Sequence, residues 1–332
     1  MLYLTTRDRF DTFTAFHAIK HDTAPNGGLF VPFKMPKIDM QELADQSFGD
    51  CVALVLNGLF STRLTGKEVE FSIGRNPIRI KTAHQRTVIA ELFRNLDGSY
   101  EKMERRLSAK ICNCFNTEAQ TTSWVAIAIR IAVLFGVFAE IHKQDMTEQE
   151  IDIALPCGDF KLSMAAWYGR EMGLPIGNII CACGQDSVVW DLLRHGEMRT
   201  SAADITFTEL ERLICGTLGS AQVVNYQKAR ETGSIFAVEG EELEKLNKGI
   251  FCAVVSDDRI ENAISSVYRT SSFVLEKGSA VSYSGLMDYR AKTGESRTAL
   301  LLADCNPADQ AGFIAGAMNI MEDALKDLLR NS

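Results

Sequence analysis

The sequence predicts an α/β protein built on a doubly wound, mostly parallel sheet. Three observations point there. From about residue 150 onward, short β-like runs alternate with amphipathic helical stretches, the pattern of βαβ units. The 332 residues are 46% hydrophobic and 23% charged, so the chain can bury a large core. Only 7 prolines occur, which leaves little room for a long extended linker.

The elements follow in order. APNGGLFVP, ending at Pro32, reads as a turn leading into a strand, and the segments near 40–60 and 101–111 read as helices. Residues 124–139 form the longest apolar stretch. Arg130 interrupts it and it falls short of the roughly 20 residues a bilayer requires, so it is expected to be a buried helix. IDIAL (151–155) is a strand leading into a helix from about Lys161 to Met172, stopped by Gly173 with Pro175 beyond. NIICAC (178–183) completes the unit. FCAVVS (251–256) is the next strand, with Ser256 expected to cap the helix after it and acidic residues in its first turn. TALLLADC (298–305) is the last strand and precedes a final helix from about Ala308.

Charge narrows the partners. Lys and Arg total 35 against 43 Asp and Glu, a net charge of −8, so no basic surplus is available for a phosphate backbone and nucleic acid is not expected as a partner. Arg7, Asp8 and Arg9 stand where a signal peptide would need an apolar core, and neither export nor a membrane is expected. Nine cysteines without C-x-x-C spacing read as reduced thiols in a cytoplasmic protein. The C-x-C pairs Cys112/Cys114 and Cys181/Cys183 raise a metal reading. However, His17, His21, His84, His142 and His195 do not cluster with them, and Cys181 and Cys183 alternate in an apolar strand, so no metal is expected.

Ligands of such sheets sit beyond the carboxyl ends of strands, which singles out the loop P-C-G-D-F-K, residues 156–161. A glycine at a strand end before a helix can present backbone N–H groups to a phosphate, and Gly158, Asp159, Phe160 and Lys161 are the residues placed to do so. Taken alone, a tight turn with Asp159 as helix N-cap explains the same residues.

PCGDFKLSMAAWYGREMGLPIGNIICA resembles the segment of PLP-dependent threonine synthases that reads P-T-G-N-F-G, a helix, then M-G-L-P-I. TTRDRF (5–10) with TAPNGGLFVP (23–32) resembles that family's S-T-R-G and L-A-P-D-G-G-L-Y-V-P. SFVLEKGSAV (272–281) and LLADCNPAD (301–309) are similar to its G-Y-x-L-D-P-H-T-A-V and L-x-T-A-H-P-A-K. The resemblance implies the large-domain fold of fold-type II PLP enzymes. It also implies an activity in amino-acid biosynthesis: PLP, held as a Schiff base by a lysine, takes phosphohomoserine, which loses phosphate and gains water to give threonine.

The departures fall where that chemistry would be. The family's lysine motif E-L-F-H-G-P-T-L-A-F-K-D-F matches ELFRNLDGSYEKM (91–103), which puts Glu101 at the lysine position; Lys102 could serve only if the register slips by one. Between this helix and FNTEAQTTSWVAIAIRI the chain runs only about ten residues, where the family carries S-G-D-T-G and a small domain of roughly 100 residues that closes over PLP. In the phosphate loop the family's Asn is Asp159 and its second Gly is Lys161. Late in the chain, H-T becomes Gly278 and Ser279, and T-A-H-P-A-K becomes residues 304–309, with Asp304 and Asp309 in place of neutral and basic groups.

The resulting expectation is a threonine-synthase-like N-terminal segment (1–100) and an α/β large-domain remnant (101–332) without the small domain. The chain would act as a catalytically inactive binding or interaction protein with no cofactor. The alternatives are an active PLP-dependent threonine synthase, or a PLP-independent enzyme that uses Asp159, Lys161, Cys157 or Asp304 in the old cleft. A small anionic ligand fits the vestigial loop. A homodimer, or a heteromer with a full-length threonine synthase, is expected to cover residues 95–98 and 116–123, the edge that the missing domain would uncover.

Overall fold

The computed structural model describes residues 1–96, 98–118, 121–144, 150–200 and 208–330. Eleven strands occur among them: β1 Leu2–Thr5, β2 Phe13–Thr14, β3 Phe30–Pro32, β4 Arg79–Ala83, β5 Thr87–Glu91, β6 Ile151–Pro156, β7 Ile176–Cys183, β8 Glu197–Arg199, β9 Ile235–Ala237, β10 Ile250–Val254 and β11 Ala299–Ala303. The central sheet has six strands in the order β10-β7-β6-β11-β5-β4. All its pairings are parallel except β4 with β5. β2-β1-β3 and β8-β9 form small antiparallel sheets at its side.

Alternation along the central strands divides the core between two faces, as the two-residue period of a strand requires. Ile153 and Leu155, Ile179, Cys181 and Cys183, and Leu300 and Leu302 join the larger cluster. Ala154, Ile180, Ala182 and Leu301 face the smaller one. Helix Ser123–His142 fills the first face. It is long and apolar enough to cross a membrane, but nearly every side chain on it is buried inside the protein. Helices Asp257–Ser271 and Lys277–Thr293 cover the second face. β4 and β5, from the first hundred residues, pair into the same sheet as the strands of 151–303.

The predicted strands and the Lys161–Met172 helix are present, with boundaries shifted by one or two residues. Gly173 stops that helix at φ 119°, and a Cβ there would lie 2.5 Å from the Ile38 carbonyl oxygen. Three local expectations need correction. Ser256 sits at the N-cap of its helix, but its side chain makes no capping hydrogen bond, leaving Asp257 and Asp258 to favour the helix start through their charge. The final helix is two helices, Ala311–Met318 and Glu322–Arg330, because Asn319 adopts a left-handed conformation between them. The N-cap of the Lys161 helix is Phe160, at φ 63°, not Asp159.

Candidate functional site

The carboxyl ends of β6, β11 and β5 open onto a cavity of about 170 Å³. Its floor is apolar, from Leu92, Val133, Leu134, Leu162 and Leu302. Its polar wall is Tyr100, Arg130, Cys157, Asp159 and Asp304. A wider groove of about 620 Å³ shares Asp159 and adds Asp22, Glu104, Ser123, Lys161 and Glu209.

The loop 156–161 brings its predicted residues together. Gly158 and Asp159 line the cavity, Phe160 is buried beneath it, and Lys161 begins the helix. Asp159 Oδ1 accepts the Lys161 backbone N–H at 3.1 Å and Oδ2 accepts from Lys161 Nζ at 2.6 Å. The carboxylate therefore occupies the first free donor of the helix from one residue before the cap, a position that a short Asp side chain reaches over a single intervening residue. Burial would raise the Asp159 carboxyl, but the Lys161 hydrogen bond and the Arg130 charge outweigh it and hold it below the usual range.

Arg130, the one charge in the long apolar run, is the hub of the polar wall. Its Nε donates to Glu104 Oε2 at 3.0 Å, its Nη1 lies 3.5 Å from Asp159 Oδ1, and its guanidinium sits 6.0 Å from the Tyr100 ring centre. Burial works against its charge, and the surrounding Tyr100, Glu104 and Asp159 more than offset that. The Tyr100 hydroxyl is pushed well above its ordinary pKa by burial and then by Glu104, and it makes no hydrogen bond of good geometry.

Behind the cavity, Glu276 is buried and accepts the Gly278 and Ser279 amides, both at 2.5 Å, at the head of helix Lys277–Thr293. Burial and the charge of Asp304 push its carboxyl up to about 7. Among the described residues, no group of three or more His, Cys, Asp or Glu side chains is placed to hold a metal ion.

Three comparisons bear on this geometry. A family model described as the threonine synthase N terminus matches residues 2–75. "Threonine synthase-like 1" of Homo sapiens is 25% identical over 181 residues, half of this chain, and the Mus musculus protein of that name is 25% identical over 182. The PLP-bound threonine synthase of Brucella melitensis superposes with a TM-score of 0.82 at 14% identity, covering 99% of this chain and 94% of that one. The yeast enzyme gives 0.78 at 16% identity, covering 98% and 93%. The chain has the threonine synthase fold, and its first 75 residues match that family's N-terminal model.

The chain spans about a quarter of the length of the curated relatives it matches. Glu101 is the residue that the sequence resemblance puts at the position of the family's lysine. It lies exposed on helix Tyr100–Asn113 and pairs with Arg105 at 3.4 Å. Lys102 is exposed as well, and neither residue lines the cavity; the residue of this turn that does is Tyr100. Helix Tyr100–Asn113 passes to helix Ser123–His142 through residues 114–122.

Sequence reasoning missed Tyr100, Glu104, Arg130 and Glu276 as parts of the site. Arg130 had a signal, since a lone charge in an otherwise buried helix must find a partner. Glu276 had a weaker one, an acidic residue three before a serine at a helix start.

Proposed function

We propose that this threonine-synthase-like chain is a cytoplasmic binding protein that does not perform PLP-dependent chemistry. The observation that carries this reading is the wall of the cavity. Among the described residues lining it and the adjoining groove, the one lysine is Lys161, and its ammonium is engaged by Asp159 at 2.6 Å.

The donor set does not fit PLP. A phosphate on the 156–161 loop would have to displace the Asp159 carboxylate from the Lys161 amide and then remain beside Asp159 and Asp304. A carbonyl group has no free amine to meet on the cavity wall. In the outer groove Glu104 and Asp159 are paired with Arg130, Asp159 also with Lys161, and Glu209 with Arg212, which leaves an excess carboxylate at Asp22 and favours a ligand with a positively charged group over the small anionic ligand the family loop implied. The apolar floor would hold such a ligand's hydrocarbon part.

The test is phosphate release from phosphohomoserine by the purified chain supplied with excess PLP. No release above the protein-free rate is expected, and turnover would overturn the proposal.

A further inference from the structure

Four of the nine thiols stand in one row at the carboxyl end of the parallel sheet. Cys181 and Cys183 point to the same face of β7, and Cys252 of β10 is the direct register partner of Cys181. The Cys157 N–H donates to the Ala182 carbonyl at 2.8 Å, the bond that closes the Pro156–Ala182 pair at the end of the β6/β7 ladder. One residue further along each chain, the Cys157 and Cys183 thiols lie within hydrogen-bonding reach of each other. Of the four, only Cys157 lines the 170 Å³ cavity. We propose that Cys157 and Cys183 form a peroxide-responsive thiol pair, with the cavity as the oxidant's route to Cys157 and Cys183 as the resolving thiol.

Geometry supports closure. Neighbouring strands lie roughly 4.7–4.9 Å apart, within the Cα separation that a disulfide spans. The electrostatics agree. Hydrogen bonds from Cys157, Cys252 and Ser187 hold the Cys183 thiol below its ordinary pKa despite burial, while Cys157 is pushed up as the donor. The proton therefore rests on Cys157, and Cys183 is the ready thiolate for the resolving step. As Cys157 attacks hydrogen peroxide its thiol proton passes by way of Cys183 to the departing hydroxide; the O–O bond breaks, a sulfenic acid forms at Cys157, water leaves and Cys183 is again a thiolate. The Cys183 thiolate attacks that sulfur and expels hydroxide, which leaves as a second water after protonation. Two thiols and one peroxide thus give one disulfide and two waters.

Exposure alone would favour a different residue. Cys114 is the exposed thiol, but burial of its sulfur and the charge of Glu68 raise its pKa. Cys305 is pushed up to about 12 by burial and Asp304.

The test treats the full chain with stoichiometric hydrogen peroxide, alkylates the remaining thiols and maps the linked peptides, using fragmentation to separate Cys181 from Cys183. The expected result is loss of two of the nine alkylatable thiols in a Cys157–Cys183 link that dithiothreitol reverses, with Cys114 still free. In Cys183→Ala the link is lost and Cys157 is trapped by a sulfenic-acid probe. Oxidation of Cys114 with Cys157 left reduced, or a Cys181–Cys252 link in place of the expected one, would overturn the proposal in the wild-type chain alone.

Discussion

At the scale of single residues, the site is organised by carboxylates that have taken over backbone donors. Asp159 satisfies the Lys161 amide in the place where a phosphate would sit. Asp159→Ala should therefore destabilise the fold by about 1 kcal/mol, the usual worth of a helix-end acceptor. Asp159→Asn should retain most of that, since the ion pairs it gives up are partly exposed and weak. Urea titrations of the three proteins give the comparison.

Glu276 carries a pH signature. Its carboxyl titrates near 7 in the folded chain and near 4.5 when free, so the folded state binds more protons across that window. Stability from this group is complete below about pH 4.5 and is lost as pH rises through about 7, with a slope approaching 1.4 kcal/mol per pH unit. Glu276→Gln keeps one of the two acceptor oxygens, at some cost in stability at every pH, and with no proton to titrate it should flatten that slope. Denaturation midpoints measured across the window, wild type against variant, show whether it does.

Elements were legible where periodicity and punctuation agree. β6, β7, β10 and β11 are short apolar runs bounded by helix signals, and Gly173 with Pro175 marks a helix stop without ambiguity. β4 and β5 were not legible, because RIKTA alternates weakly and β5 belongs to the sheet only through β11, more than 200 residues away. The small β8-β9 pairing was hidden for the same reason: three-residue strands carry too few residues for a period.

The cavity wall shows the same division. The 156–161 loop is contiguous and announced itself, whereas Tyr100, Arg130 and Asp304 converge from separate elements. The glycine stops yield a differential prediction. Gly294→Ala, at φ 76° with open space around it, should cost about 1 kcal/mol for the left-handed conformation alone. Gly173→Ala must also push a Cβ against the Ile38 carbonyl, so its loss of thermal stability should be clearly larger.

At the scale of the whole molecule, helix Tyr100–Asn113 passes to helix Ser123–His142 through residues 114–122, part of the edge expected from the sequence to meet a partner. We propose that a second copy, or a full-length threonine synthase, covers this edge. Leu96 stands 62% exposed and Asn95 and Thr122 are buried, while Asp97 and residues 119–120 of the expected interface lie outside the described residues. Light scattering over a concentration series, alone and with a threonine synthase added, should show mass growth, and Leu96→Lys should suppress it. A strictly monomeric chain that does not shift on mixing would count against the interface.

The central claim is that the family's fold persists here without an amine positioned for PLP. Borohydride reduction of the chain after incubation with PLP, followed by peptide mass spectrometry, tests it most directly. The account predicts no stoichiometric pyridoxyl-lysine at any position. A single, fully occupied pyridoxyl-lysine at Lys102 or Lys161 would contradict it.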